Sequence, residues 1–356
     1  MFKICQTKNF EWRWAERSGA KEIKMEDKVD ILLTTYNTKI EYLKMQIESI
    51  LTQTYKNFTL IISDDCSPNE EVRTVLKEYE QKDNRIKLYF QKENLGYTKN
   101  FEFVLTKSKA DYIAFSDHDD IWYPNKIEKS INILKEKNVD LVYCDAKQVD
   151  GKGEVLHESY LRYKNMPIIN EKYHKDILPF SRHIAIGCSQ LLTKKVKELM
   201  LPFTENTIAH DWHSLYIANK LKGIYCIDEP LFDYRLHGNN AFGGRNLKQN
   251  MKRWKEKNGN NYESYLKYRH HAITDTYLAG VLMCKEYSNK IENNKSQEQE
   301  DEIIKYFEKA QKHKIIYLPI HKYFKYLYFK GIKKRAIKEI MILHFPVISY
   351  IIFALI

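Results

Sequence analysis

Short apolar runs alternate with amphipathic stretches from about residue 29 onward, and this alternation restricts the chain to few folds. Val29–Thr35, Thr59–Ser63, Ile86–Phe90, Tyr112–Ser116 and Leu141–Cys144 are rich in β-branched and aromatic residues and end in polar turns, as strands do. Between them, Ile40–Leu51, Glu70–Gln81, Tyr97–Thr106 and Ile127–Lys135 repeat apolar residues at helical spacing. Such alternation predicts an α/β chain with a parallel, doubly wound sheet and right-handed crossovers. Ligands of such sheets bind outside the carboxyl ends of the strands.

Two acidic clusters fall at that edge. Asp64-Asp65 follows the second predicted strand, and Asp117-His118-Asp119-Asp120 follows the fourth. Carboxylates crowded after a strand repel one another unless a cation or cationic ligand compensates them. Asp117-x-Asp119 supplies hard oxygen ligands suited to Mg²⁺ or Mn²⁺, ions that also take phosphate oxygens. A simpler role stands beside this one, because Asp also caps helices and a helix is expected to begin near Pro124. Asp64-Asp65-Cys66-Ser67-Pro68 likewise reads as a loop and cap as well as a binding turn.

Beyond Leu141–Cys144, residues 151–180 are polar and irregular and read as a loop or small excursion. An apolar stretch Ile184–Leu192, a helical segment Asp211–Leu221 and a strand Ile224–Ile227 follow. After about Gly244, Lys, Asn, Glu and Tyr dominate, which indicates helices with solvated faces. The end of the chain is aromatic and basic, then apolar over Ile340–Ile356. The net charge of +11 is compatible with nucleic acid, anionic lipid or phosphorylated substrates. No zinc-finger spacing, RNA-recognition signature or Arg-rich arm is present, so nucleic acid is not the expected partner. The six cysteines form no C-x-x-C pair, which points to a reducing compartment without a disulfide framework. Residues 1–28 lack the apolar core of a signal peptide, so a cytoplasmic location is expected.

Seven segments, in order, carry a resemblance. They are Thr34-Thr35-Tyr36-Asn37, the run from Ser49 to Tyr55, Ile62-Ser63-Asp64-Asp65-Cys66-Ser67, and Asn94-Leu95-Gly96-Tyr97-Thr98-Lys99-Asn100. Asp117-His118-Asp119-Asp120, His210-Asp211-Trp212 and the run from Tyr234 to Asn240 complete the series. Together they resemble inverting family-2 glycosyltransferases of the GT-A fold, with a flavour of the bacterial rhamnosyltransferase-like subgroup. The resemblance covers roughly residues 29–245. It implies a Rossmann-like mixed sheet flanked by helices, preceded by an extension (1–28) and followed by a helical C-terminal region (246–356).

It also implies roles. Thr34 and Tyr36 resemble the family's nucleotide-binding loop, and Asp65 the carboxylate that accepts N3–H of uracil or thymine. Asn94 and Gly96 open the helix carrying Lys99, where a glycine permits close approach and a helix N-terminus favours an anion. Asp117 is placed near the ribose and shares the divalent cation, Mn²⁺ or Mg²⁺, with Asp119. Asp211 resembles the catalytic base that deprotonates the acceptor hydroxyl, and Trp212 offers a flat face to a sugar ring. An N-cap Asp beside a core Trp is the competing assignment for that pair. Arg235 and His237, expected in a loop, are candidate diphosphate contacts. Two departures from the subgroup pattern are Cys66 in place of Gly, and His213 where a second Trp is common.

The implied partners are a UDP- or dTDP-linked sugar donor, with dTDP-rhamnose a candidate, and a glycan or lipid-linked glycan acceptor of a cell-surface polysaccharide. Transfer to polyprenyl phosphate and a catalytically silent nucleotide- or glycan-binding module are the alternatives. Ile340–Ile356 as helix would reach about 25 Å, short for a bilayer crossing, and the basic-aromatic residues before it suit an interface. Peripheral attachment to the inner face of the plasma membrane is therefore expected.

Overall fold

The computed structural model describes residues 27–237, apart from 165, 167, 171–183, 206 and 208, together with a few positions between 254 and 290. Every residue of β1 (Val29–Thr35) is buried, which suits a strand apolar on both faces. Its neighbours sort by face: Ile31 and Leu33 join one apolar cluster and Leu32 joins another. Helices α1 (Ile40–Leu51), α2 (Glu70–Lys82) and α4 (Lys126–Lys137) pack on the first face through Leu43, Ile47, Val72, Leu76, Ile127 and Ile131. The second face carries α3 (Tyr97–Lys107), α6 (Lys194–Met200) and α7 (His210–Lys220), through Phe101, Val104, Val196, Leu215 and Ile217.

The remaining strands are β2 (Phe58–Asp64), β3 (Ile86–Phe90), β4 (Tyr112–Ser116), β5 (Ile121–Trp122), β6 (Leu141–Val149), β7 (Val155–His157), β8 (Gln190–Thr193) and β9 (Ile224–Arg235). They follow the order β3-β2-β1-β4-β8-β6-β9-β5, with β7 paired on β6. The first four sheet positions are parallel, so β1, β2 and β4 end at one edge. There Thr35 lies beside Asp64, and Leu33 beside Ser116. Strand β8 enters antiparallel between β4 and β6, which makes the sheet mixed. This is the α/β architecture of the GT-A type, and the wholly parallel sheet expected from alternation alone is corrected.

The polar stretch after residue 150 contains β7 and a short helix, α5 (Tyr160–Tyr163), a small excursion from the main sheet. One further correction concerns extent. Strand β9 runs on to Arg235, so Arg235 ends a strand instead of lying in a loop. Its second half bonds both β6, with Gln148 opposite Tyr234, and β5, with Ile121 opposite Asp233. Pro230, which lacks a donor, falls at the register shift opposite Asp145, where the ladder can tolerate it. Nearly all of 1–28 and 340–356 lies outside the described residues, and among the described ones no helix is long and apolar enough to cross a membrane.

Candidate active site

The Asp117–Asp120 turn begins where β4 stops. Asp117 is half-buried, Asp119 is buried, and Asp120 has no exposed surface. Burial and the neighbouring Asp119 charge push Asp117 up to about 6. Asp120 rises well above the carboxylate range, through burial first and then through Asp119 and Asp117. Burial also pushes Asp119 up, but the hydrogen bond with His237 and the charges of His118 and His237 outweigh it and hold Asp119 low. His237 Nε2 is 2.6 Å from Asp119 Oδ2.

Several buried groups fix this turn. The Gln46 amide, oriented so that donor meets acceptor, bonds Asp120 O at 2.7 Å and Trp122 Nε1 at 3.1 Å. Arg235 donates Nε–H to Asp119 O at 2.9 Å and its backbone N–H to Asp120 Oδ1 at 3.2 Å. Its guanidinium stacks 4.6 Å above the ring of Tyr42, whose hydroxyl donates to Gly151 O at 2.9 Å. Arg235 thus joins β9, α1 and the 150–151 turn to the acidic turn, which is a positioning role rather than the diphosphate contact expected for it. His237 adds to the same clamp and lies 5.5 Å from the Tyr42 ring.

Asp211 sits in the first turn of α7 and is half-buried. Burial first, then the charge of Asp117, raise it to about 7, and the backbone N–H groups of Trp212, Asp211 and Gly187 only partly offset this. The neighbouring His210 ring is stacked on Phe101 at 3.8 Å and meets Phe115 edge-on at 4.6 Å. Burial pushes that imidazole down to about 3, so it is neutral and packs as an aromatic. Gly187 lets the two chains close up, because a Cβ there would lie 2.5 Å from His210 Nε2.

A second group forms at the ends of β1 and β2. Asp65 is 2% exposed, and both its oxygens are engaged: Leu95 N–H donates to Oδ1 at 2.8 Å and Gly96 N–H to Oδ2 at 2.9 Å. Asn94 Nδ2 donates to Asp65 O at 3.3 Å. Gly96 begins α3 at φ 79°, a conformation that favours glycine. Tyr36 stands 48% exposed beside Thr34, free to offer a ring face. His118 Nδ1 lies 3.3 Å from Thr34 O, tying this group to the acidic turn.

Two expected residues are placed differently. Lys99 points to solvent, 60% exposed, and pairs with Glu102 at 2.7 Å. Trp212 is only 8% exposed and packs in the second core, so it offers no open face to a sugar, and burial of the indole outweighs display. His213, the departure from the subgroup pattern, is wholly buried against Phe203 and Tyr287. Sequence reasoning also missed Gln46 and Tyr42. The signal was available, since both are polar-tipped residues on the buried face of the amphipathic α1.

The oxygen donors of Asp117 and Asp119 fit a divalent cation such as Mn²⁺ or Mg²⁺. The Asp119 charge that, after burial, raises Asp117 is what such a cation would relieve.

The profile of Glycosyl transferase family 2 matches residues 30–200. An uncharacterized glycosyltransferase of Methanocaldococcus jannaschii is 31% identical over 228 residues, 63% of this chain and 76% of that protein. The UDP-Glc:alpha-D-GlcNAc-diphosphoundecaprenol beta-1,3-glucosyltransferase WfgD of Escherichia coli is 27% identical over 200 residues, 56% of this chain and 73% of its own length. Of several Rickettsia relatives the chain spans 64% of the length or less. Among solved structures, S. aureus TarS 1-349 in complex with UDP shares the fold with a TM-score of 0.52 at 16% identity, over 92% of this chain and 89% of that one. Strand order, the acidic turn and the sequence matches agree, and the chain belongs to glycosyl transferase family 2.

Proposed function

We propose that this glycosyltransferase moves a hexose or deoxyhexose, with inversion, from a uridine or thymidine diphosphate donor to a hydroxyl of a lipid-linked glycan. The observation that carries the reading is Asp211, a carboxyl raised to about 7 within reach of the charge of Asp117 in the acidic turn. A general base works best with a pKa near the operating pH. Asp211 takes the proton of the acceptor hydroxyl as its oxygen attacks the anomeric carbon and the bond to the diphosphate breaks. When bound by Asp117 and Asp119, Mn²⁺ or Mg²⁺ would neutralise charge on the departing diphosphate. Tyr36 and Thr34 line the base, Asp65 holds the loop of Asn94 and Gly96 that closes on it, and Asp117 faces the ribose. Arg235 and His237 keep the acidic turn in place.

A lipid-linked acceptor is supported by the relative WfgD, whose name gives a diphosphoundecaprenol-linked GlcNAc as acceptor. The subgroup resemblance makes dTDP-rhamnose the donor to try first. Work at the cytoplasmic face of the membrane follows from such an acceptor and from the basic, then apolar, residues beyond 315. Incubating the protein with Mn²⁺, UDP-glucose, UDP-GlcNAc, dTDP-rhamnose and GDP-mannose, with diphosphoundecaprenol-linked acceptors, tests this. Nucleotide release coupled to acceptor glycosylation from a uridine or thymidine donor is expected. Turnover of GDP-mannose alone would overturn the donor class, and turnover of none would overturn the transferase reading.

A further inference from the structure

Behind the acidic turn, a ligand atom from each of Asp117, Asp120 and Cys188 falls within 4.8 Å of the others. The three come from different places: the end of β4, the floor of the turn, and the single helical turn Gly187–Ser189 that leads into β8. Cys188 is buried and shares no disulfide. One oxygen of Asp120 accepts the Arg235 N–H, while no N–H or O–H reaches Oδ2, although the residue is fully buried. Besides the Arg235 N–H, the Cys188 thiol, a weak donor, bears on this side chain, so the buried carboxyl is poorly satisfied and marks a place for a ligand.

We infer that Asp117, Asp120 and Cys188 form an inner site for a thiophilic divalent cation of the Zn²⁺ or Co²⁺ kind, assigned to neither Mg²⁺ nor the diphosphate. Zinc binds sulfur at about 2.3 Å and carboxylate oxygen at about 2.0–2.2 Å in tetrahedral geometry, so ligand atoms on one ion stand about 3.3–3.7 Å apart. The cluster, whose ligand atoms lie within 4.8 Å of one another, closes by about 1 Å to reach that span. A donor set of two carboxylates and one thiolate is too soft for Mg²⁺ and suits borderline metals. Asp117 is half-exposed and opens the site to the crevice, while Asp120 and Cys188 close its floor. The thiol proton leaves to solvent when the sulfur–metal bond forms. Because Asp117 belongs to both groups, an ion held there draws on the carboxylate that would otherwise face Mn²⁺ or Mg²⁺.

The test is Co²⁺ titration of the full chain, followed by absorption spectroscopy and X-ray absorption at the cobalt edge. A thiolate-to-cobalt charge-transfer band and one sulfur neighbour are expected, lost in Cys188→Ser and at least tenfold weaker in Asp120→Asn. Zn²⁺ should displace the cobalt, and excess Mg²⁺ should not. If Cys188→Ser does not fold, a chain with Cys5, Cys66 and Cys284 changed to Ser should keep the band, and Cys188→Ala should lose it. An oxygen-only cobalt shell, no cobalt binding, or a band that survives loss of Cys188 would overturn the site. The inference rests on the cluster and not on sugar transfer. Asp119→Ala should therefore keep the band even as it abolishes cation-dependent donor binding, so either reading can fail alone.

Discussion

Asp211→Asn isolates the role of the carboxylate as a base. The amide has almost the volume of the carboxylate, so the packing of His210 between Phe101 and Phe115, and the close approach of Gly187, should persist. Ala209, not Asp211, is the N-cap of α7, which corrects the capping alternative, and no cap bond is lost in the variant. What the amide cannot do is take the acceptor proton. Loss of a general base costs about 10²–10⁴-fold in rate, or about 3–5 kcal/mol in barrier. The pH dependence adds a second signature. With Asp211 raised to about 7, the reactive form is the carboxylate, present above that pH and lost as pH falls. The ionised fraction is about one tenth a unit below the pKa and about one hundredth two units below, so kcat/KM of the wild type should fall in step. Initial rates of nucleotide release between pH 5 and 9 measure both effects, with UDP binding checked separately. Asp211→Asn should be slow and lack the limb near pH 7, leaving only the loss that protonation of Asp117, at about 6, causes at lower pH. A folded, donor-binding Asp211→Asn enzyme within a few-fold of wild type, or one that keeps the same acid limb, would refute the assignment.

Gly187→Ala should destabilise the fold by about 1–3 kcal/mol in urea unfolding, because the new Cβ would meet His210 Nε2 at 2.5 Å and the stacked ring cannot yield. Arg235→Lys should cost about 1–3 kcal/mol of stability and weaken cation-dependent UDP binding, since an ammonium cannot both reach Asp119 O and stack on Tyr42. Unchanged UDP affinity in that variant would leave Arg235 a purely structural residue. Deleting residues 340–356 should move the protein from the membrane pellet to the supernatant with donor hydrolysis retained. Sedimentation of the truncated chain with membranes would place attachment elsewhere.

The first half of the fold was legible because its signals are local. Largely apolar, β-branched runs such as Val29–Thr35 and amphipathic helices such as Ile40–Leu51 match the observed bounds. The edge holding both acidic clusters followed from parallel strand direction. Strand β8 and the long β9 were not legible in the same way. Their pairing partners are distant in sequence, and Pro230 resembles a strand breaker until the register shift opposite Asp145 is seen. At the site, Asp117 and Asp119 stood out as carboxylates after an apolar run, whereas Asp211 was singled out by its place in the family resemblance. The parts played by Gln46, Tyr42 and Cys188 depend on contacts between α1, β9 and the turn before β8, and no spacing in one segment encodes those. Trp212 and His213 show the reverse case: side chains with ligand chemistry that burial turns into core.

The proposed function stands on a cation-dependent pyrimidine nucleotide site at the acidic edge of the sheet. Calorimetric titration of UDP, dTDP and GDP into the full chain, with and without Mn²⁺, tests it most directly. UDP or dTDP should bind with Mn²⁺ and lose at least tenfold in affinity without it or in Asp119→Ala, and GDP should bind more weakly. Equal affinity with and without Mn²⁺, or GDP binding more tightly than both pyrimidine nucleotides, would contradict the account.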